Sequence, residues 1–158
     1  MRDFLAAQTA FVTGAGQGIG EAVAIGLANM GAHVIASDVN GEAAANTAKQ
    51  ILAQGGTTSH CQLDVADAEA CNAAAAALKL PAGHKLLLVN NAGVRPKHAF
   101  DSADRDAQWQ RTLDINLGGA RNTIHAFQTL LAASGGSVVN VTSLAASRAA
   151  AQSIAYST

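Results

Sequence analysis

The sequence predicts an α/β domain with a parallel sheet covered by helices on both faces. Three observations lead there. Apolar strand-like runs alternate with helix-like runs along the 158 residues with no linker between them, the pattern of right-handed βαβ units. Two of those runs, Leu86-Leu87-Leu88-Val89 and Val138-Val139, are continuously apolar, as strands covered on both sides are. Hydrophobic residues make up 49% of the chain, with Ala and Gly plentiful, which suits helices packed closely on a sheet and argues against disorder.

The first strand is expected over Thr9 to Thr13. It runs into Thr13-Gly14-Ala15-Gly16-Gln17-Gly18-Ile19-Gly20, which opens a helix expected over Gly18 to Met30. A strand, a glycine-rich turn and a helix hold a pyrophosphate. The glycines let the backbone turn sharply and approach the phosphates, and the helix start offers unpaired N–H groups and the positive end of its dipole. Gly31 stops that helix, and a second strand follows over Ala32 to Asp38. An acidic residue at the end of the second strand accepts hydrogen bonds from the hydroxyls of an adenosine ribose and repels a 2′-phosphate. Asp38 therefore points to NAD(H) rather than NADP(H).

A second helix is expected over Glu42 to Gln54, stopped by Gly55-Gly56, then a third strand over Thr57 to Leu63 that ends in Asp64-Val65. The alanine-rich run Ala68 to Lys79 is expected to form a helix lying close on the sheet. The fourth strand, Lys85 to Asn90, ends in Asn90-Asn91-Ala92-Gly93. A long helix over Ala103 to Ala133, broken or shifted near Asn116 to Gly119, leads to a fifth strand over Ser137 to Ser143. Ligands of open parallel sheets gather at the carboxyl ends of the strands. The glycine turn, Asp38, Asp64-Val65 and Asn90-Asn91-Ala92-Gly93 all sit at such ends and describe one wall of a crevice.

The bulk properties narrow the partners. Ten basic and eleven acidic residues give no charge excess for capturing nucleic acid or an anionic membrane surface. No apolar run approaches the length of a membrane span, and Met1-Arg2-Asp3-Phe4-Leu5 has no apolar signal region of the usual length, so a cytoplasmic location is expected. Cys61 and Cys71 lack metal or redox spacing and suit buried thiols. The five histidines, His33, His60, His84, His98 and His125, form no metal-ligand spacing, and no metal is expected.

Taken together, Thr13-Gly14-x-x-x-Gly18-x-Gly20, Asp38, Asp64-Val65, Asn90-Asn91-Ala92-Gly93, Asn116, Ser143 and Tyr156 resemble the classical short-chain dehydrogenase/reductase family in order and approximate spacing. The resemblance runs from residue 9 to the last residues. It implies a three-layer Rossmann fold, a single NAD-binding domain over residues 1–158 with strand order 3-2-1-4-5. It also implies roles. Gly14, Gln17, Gly18, Ile19 and Gly20 would line the phosphates and adjoining ribose. Asp38 would hold the adenosine ribose, and Asp64 and Val65 would meet the adenine. Asn90, Ala92 and Gly93 would line the floor. Ser143 would hydrogen-bond the oxygen of a small-molecule alcohol or ketone. Tyr156 would exchange its proton while hydride passes to or from the nicotinamide, and Asn116 would hold a water in the proton relay. Arg95-Pro96-Lys97-His98 sits where family members border substrate and would there favour an anionic one, although its simpler reading is a solvated loop. Family members form dimers or tetramers through the long helix, here near Ala103 to Ala133.

The sequence also departs from that family. Its tyrosine motif is Tyr-x-x-x-Lys, whereas this chain reads Tyr156-Ser157-Thr158, so the lysine position falls two residues further on. Family members carry further C-terminal strands that would be absent. The expectation that follows is a truncated domain, poorly stable alone and catalytically weak, with the fifth strand as an uncovered edge. The alternative to an NAD(H)-dependent oxidoreductase is then a non-catalytic dinucleotide-binding fragment or an interaction module.

Overall fold

The structure is a computed structural model that describes residues 4–97, 99, 101–148 and 152–157; His98 and Thr158 fall outside the described residues. Its strands follow the apolar runs. β1 (Gln8–Thr13) is flanked by β2 (His33–Asp38) and β4 (Lys85–Asn90); β3 (Thr57–Gln62) extends the sheet beyond β2, and β5 (Ser137–Asn140) beyond β4. All pairs are parallel, and the order is β3-β2-β1-β4-β5, as the resemblance implied.

Side chains of a strand alternate between faces, and β1 shows what that does here. Ala10 and Val12 point to one layer, where they pack with Ala24 and Ala28 of α1 (Gly18–Asn29) and Ile51 of α2 (Gly41–Ala53). Phe11 points to the other, with Cys71 and Ala75 of α3 (Ala68–Ala77) and Phe127. The Phe11 and Phe127 rings are 4.6 Å apart, centroid to centroid, and both are buried. Burying each contributes about 1.5–3 kcal/mol. On the α1 side small residues let the helix lie close to the sheet; on the α3 side larger ones fill the gap.

The long helix resolves into three parts. α4 (Arg105–Leu113) passes through a π turn at Asp114–Gly118 into α5 (Gly119–Ser134), so the shift expected near Asn116 is a widened turn within a continuous path. α5 ends where Gly135 adopts φ of 61°, a left-handed cap that glycine takes at little cost. The close approach of α5 to the loop after β3 is steric: a Cβ on Gly119 would meet the Val65 side chain.

Two expectations need adjusting. β5 ends at Asn140 rather than Ser143; the chain leaves the ladder there, and Ser143 instead caps a short 3₁₀ turn, Leu144–Ala146. The apolar run alone pointed to cover on both sides of Val138 and Val139; they are 39% and 47% exposed, in line with the expectation of an uncovered fifth strand. β5 is an edge strand paired only with β4 among the described residues, so these valines keep one partner strand and little cover. No helix among the described residues is long and apolar enough to cross a membrane.

Candidate functional site

The carboxyl ends of β1, β2, β4 and β5 open into a cleft of about 1150 Å³. Sequence chemistry explains its first wall. Gly14 has φ of 62° and Gly18 of 59°, both left-handed, and a Cβ on Gly20 would press on the Gly14 carbonyl and the Asn91 amide. The N-terminus of α1 is left open: Gln17 at the cap position makes no side-chain bond to it, and Gln17, Gly18 and Ile19 are exposed along the cleft. By contrast α2 is capped by Asn40 and α3 by Asp67, each accepting two backbone N–H groups. Of the three helices that follow β1, β2 and β3, the one whose first turn lacks a side-chain acceptor is the one that follows the glycine turn.

Asp38 stands beside that turn. Its Oδ2 accepts from Gly16 N–H at 2.9 Å, and its Oδ1 accepts from Asn40 N–H at 2.9 Å. The carboxylate is thus oriented by the backbone at the rim of the cleft. Asp64 accepts the Ala66 N–H at 2.9 Å, and Val65, buried, receives Asn122 Nδ2 on its carbonyl at 3.0 Å. Both line the cleft. Behind them Cys71 donates weakly to the Val65 carbonyl. Burial first, then Asp67 and Asp64, push its thiol up to about 11, so it is a neutral packing group.

The floor departs in part from the sequence reading. Ala92 and Gly93 line the cleft, but Asn90 does not. Asn90 is buried, donates to Asn140 Oδ1 at 2.9 Å and accepts from Thr123 at 2.7 Å, so it ties β4 to β5 and α5. Asn91, given no role of its own from sequence, holds the glycine turn in place: its Nδ2 donates to the carbonyls of Thr13 and Gly14. Thr13 Oγ1 in turn accepts the N–H groups of Asn91 and Ala92, both at 3.0 Å.

The opposite wall brings together Asn116, Ser143 and Tyr156. Asn116 lies in the π turn with both ends of its amide engaged by Val94. Ser143 accepts the Ala145 N–H at 3.2 Å. Tyr156, in the 3₁₀ turn Ala155–Ser157, is half-buried, and the Arg95 guanidinium lies 5.6 Å from its ring centroid. Asn91 was given no role of its own from sequence, and the run Asn90-Asn91-Ala92-Gly93 was its only signal; Arg95 was noted only as part of a loop bordering substrate. Among the described residues no cluster of three or more His, Cys, Asp and Glu is arranged to hold a metal ion.

Comparison with known proteins identifies the family and matches the fold. A family model described as short chain dehydrogenase matches residues 8–158. D-threitol dehydrogenase of Mycolicibacterium smegmatis is 40% identical over 151 residues, which is 94% of this chain and 57% of that protein. Cyclohexanol dehydrogenase of Acinetobacter is 34% identical over 139 residues, 87% of this chain and 55% of that one. The crystal structure of a gluconate 5-dehydrogenase from Burkholderia cenocepacia in complex with NADP and tartrate superimposes with a TM-score of 0.86 at 31% identity, over 99% of this chain and 62% of that one. A 7α-hydroxysteroid dehydrogenase complexed with NADH and 7-oxo glycochenodeoxycholic acid gives a TM-score of 0.87 at 30% identity, over 97% of this chain and 60% of that one. The chain thus spans somewhat over half the length of these relatives, and 23% of the mycobacterial oxidoreductase EphD, to which it is 40% identical over 137 residues.

Proposed function

The chain belongs to the short-chain dehydrogenase/reductase family of oxidoreductases, and from that premise we propose that it serves an NAD(H)-dependent interconversion of a secondary alcohol and a ketone. The observation that carries the reading is the convergence, in one cleft, of the open α1 N-terminus with Ser143 and Tyr156.

The residues present suit a nicotinamide dinucleotide. Gly14, Gln17, Gly18, Ile19 and Gly20 would take the pyrophosphate on backbone N–H groups and the α1 dipole. Asp38 would accept the adenosine ribose hydroxyls, and Asp64 and Val65 would border the adenine. Ala92 and Gly93 offer a flat floor, with Asn90 acting behind them. When bound, the cofactor supplies or accepts the hydride. Solved relatives carry NADH in one case and NADP in others. The preference for NAD(H) rests on the Asp38 carboxylate, which would face a 2′-phosphate with like charge.

The chain's own residues handle the oxygen and its proton. Ser143 would donate a hydrogen bond to the substrate oxygen, and Tyr156 would give it a proton on reduction and take one on oxidation. Asn116, whose side chain is committed to Val94, would hold the relay water through its main-chain carbonyl. Assembly into a homo-oligomer through the α4–α5 helix, near Ala103 to Ala133, accompanies this reading.

The test pairs binding with turnover. NADH should quench protein fluorescence and bind at least about tenfold more tightly than NADPH, and Asp38→Asn should narrow that ratio. Oxidation of neutral secondary alcohols, cyclohexanol and threitol among them, should be lost in Tyr156→Phe while NADH binding persists. Undiminished turnover in Tyr156→Phe would sink the mechanism; equal NADH and NADPH affinities would sink the cofactor preference.

A further inference from the structure

We propose that Arg95 is a substrate-anion clamp: it receives the carboxylate of a hydroxy acid whose carbinol carbon lies beside Ser143 and Tyr156. This deepens the oxidoreductase reading and rests on it for the position of the carbinol.

Arg95 follows β4 and lines the cleft together with Ser143 and Tyr156. Its Nε donates to Ser153 Oγ at 3.2 Å, and Ser153 is 1% exposed, so the anchor is a buried one. The guanidinium lies over the Tyr156 ring. The preceding residue, Val94, is held on both backbone groups by Asn116. The following residue, Pro96, fixes its own φ and narrows the backbone choices of Arg95. The side chain is therefore oriented before any ligand arrives.

What remains to bind is definite. A guanidinium has five N–H donors, of which Nε carries one. The other four are on the two Nη nitrogens, and among the described residues none of them has a hydrogen-bond or ion-pair partner. The other charged groups along the cleft are Asp38, Asp64, Asp114 and Arg111, and none of these pairs with Arg95. A planar fork of this kind matches a carboxylate with two parallel hydrogen bonds. The cofactor phosphates are accounted for elsewhere, at the glycine turn and α1. A pre-positioned fork also forfeits less side-chain entropy on binding.

Calorimetric titrations of the NADH-loaded protein would use three matched pairs: 3-hydroxybutyrate and its amide, gluconate and its amide, and 4-hydroxycyclohexanecarboxylate and its amide. For at least one pair the acid should bind about tenfold more tightly than the amide. Arg95→Gln should erase that difference while leaving the amide within about twofold of its original affinity. Arg95→Lys keeps the charge but not the fork, and should retain only part of the acid preference; it also serves if the glutamine variant fails to fold. Equal binding of acid and amide in all three pairs would overturn the proposal. So would an equal loss for both partners in Arg95→Gln, or an undiminished acid preference in Arg95→Lys. Selective acid binding without any turnover would leave the clamp standing and count against the oxidoreductase reading alone.

Discussion

Asn116 and Val94, 22 residues apart, exchange two hydrogen bonds: the Val94 N–H donates to Asn116 Oδ1 at 2.8 Å, and Asn116 Nδ2 donates to the Val94 carbonyl at 3.0 Å. The π turn at Asp114–Gly118 sets the asparagine at the height of the loop that follows Gly93. A widened turn of this sort within a helix marks functional positions in many proteins. Here it makes a side-chain amide behave as a strand partner for a loop that has no strand.

Asn116→Ala should destabilise the fold by about 1–3 kcal/mol, the cost of leaving partly buried backbone groups unpaired. Asn116→Asp should cost at least as much. One carboxylate oxygen can still accept from Val94 N–H, but the other faces the Val94 carbonyl with no proton between them. Urea unfolding at neutral pH measures both, and a wild-type midpoint in either variant would contradict a stabilising role for the Asn116–Val94 pair.

Gly20 and Gly26 share helix α1 and should answer substitution in opposite ways. A Cβ on Gly20 runs into the Gly14 carbonyl and Asn91, whereas one on Gly26 meets nothing within 4 Å. Gly26→Ala should stabilise the protein by about 0.5–1 kcal/mol, the helix preference of alanine over glycine. Gly20→Ala should lose stability by about 1–3 kcal/mol through overpacking. It should also lose NADH affinity, because the turn must open to admit the methyl group. Thermal melts and a fluorescence titration read the two effects separately.

Stability should fall on mild acidification through His33. Burial, then the nearby His84, hold its pKa below the ordinary value of 6.5. As pH falls, the unfolded chain therefore takes up the proton before the folded one does. The stabilisation is complete above 6.5 and is lost as pH drops through 6.5 towards the folded value. Urea midpoints followed from about pH 8 to about pH 5.5 should decline, and His33→Asn should flatten that slope. An unchanged slope would assign the decline to other groups.

Cys71 should resist alkylation in the folded protein. It is fully buried and its thiol is raised to about 11, while Cys61 is raised by burial alone. The thiolate is the reactive form, so iodoacetamide at about pH 8 should leave Cys71 unmodified and label it readily in urea. Intact mass before and after denaturation distinguishes the two.

What was legible in the sequence was local. The glycine turn, Asp38 after an apolar run and the Asn90-Asn91-Ala92-Gly93 turn each declare themselves within a few residues, because a backbone that must turn or approach closely restricts the residues it uses. Strand order was available only through family resemblance. The parts that escaped depend on partners far along the chain. Asn91 reaches back to the carbonyls of Thr13 and Gly14, and nothing in its neighbours signals that reach. Asn90 belongs to the same motif, yet its bonds to Thr123 and Asn140 keep it behind the floor. Arg95 had two readings in sequence, a solvated loop and a border for an anionic substrate, and its neighbours Ser153 and Tyr156, 58 or more residues on, were not legible there. For Val138 and Val139 the apolar run pointed to cover while the edge position of the fifth strand pointed to exposure: apolar sequence says that a strand seeks cover, not how much cover its place in the sheet provides.

The pairing of β1 with both β2 and β4 also sets a timetable for synthesis. β2 emerges soon after β1, so one side of the central strand can be paired early. The other side waits until Lys85 to Asn90 have left the ribosome, and the grip of Asn91 on Gly14 waits one residue longer. Until then the glycine turn has its composition but not its shape. A nascent chain ending before Asn91 holds the residues that would cradle a pyrophosphate without the latch that sets them. Until that stretch is in place the edge of β1 that pairs with β4 has no partner strand of its own.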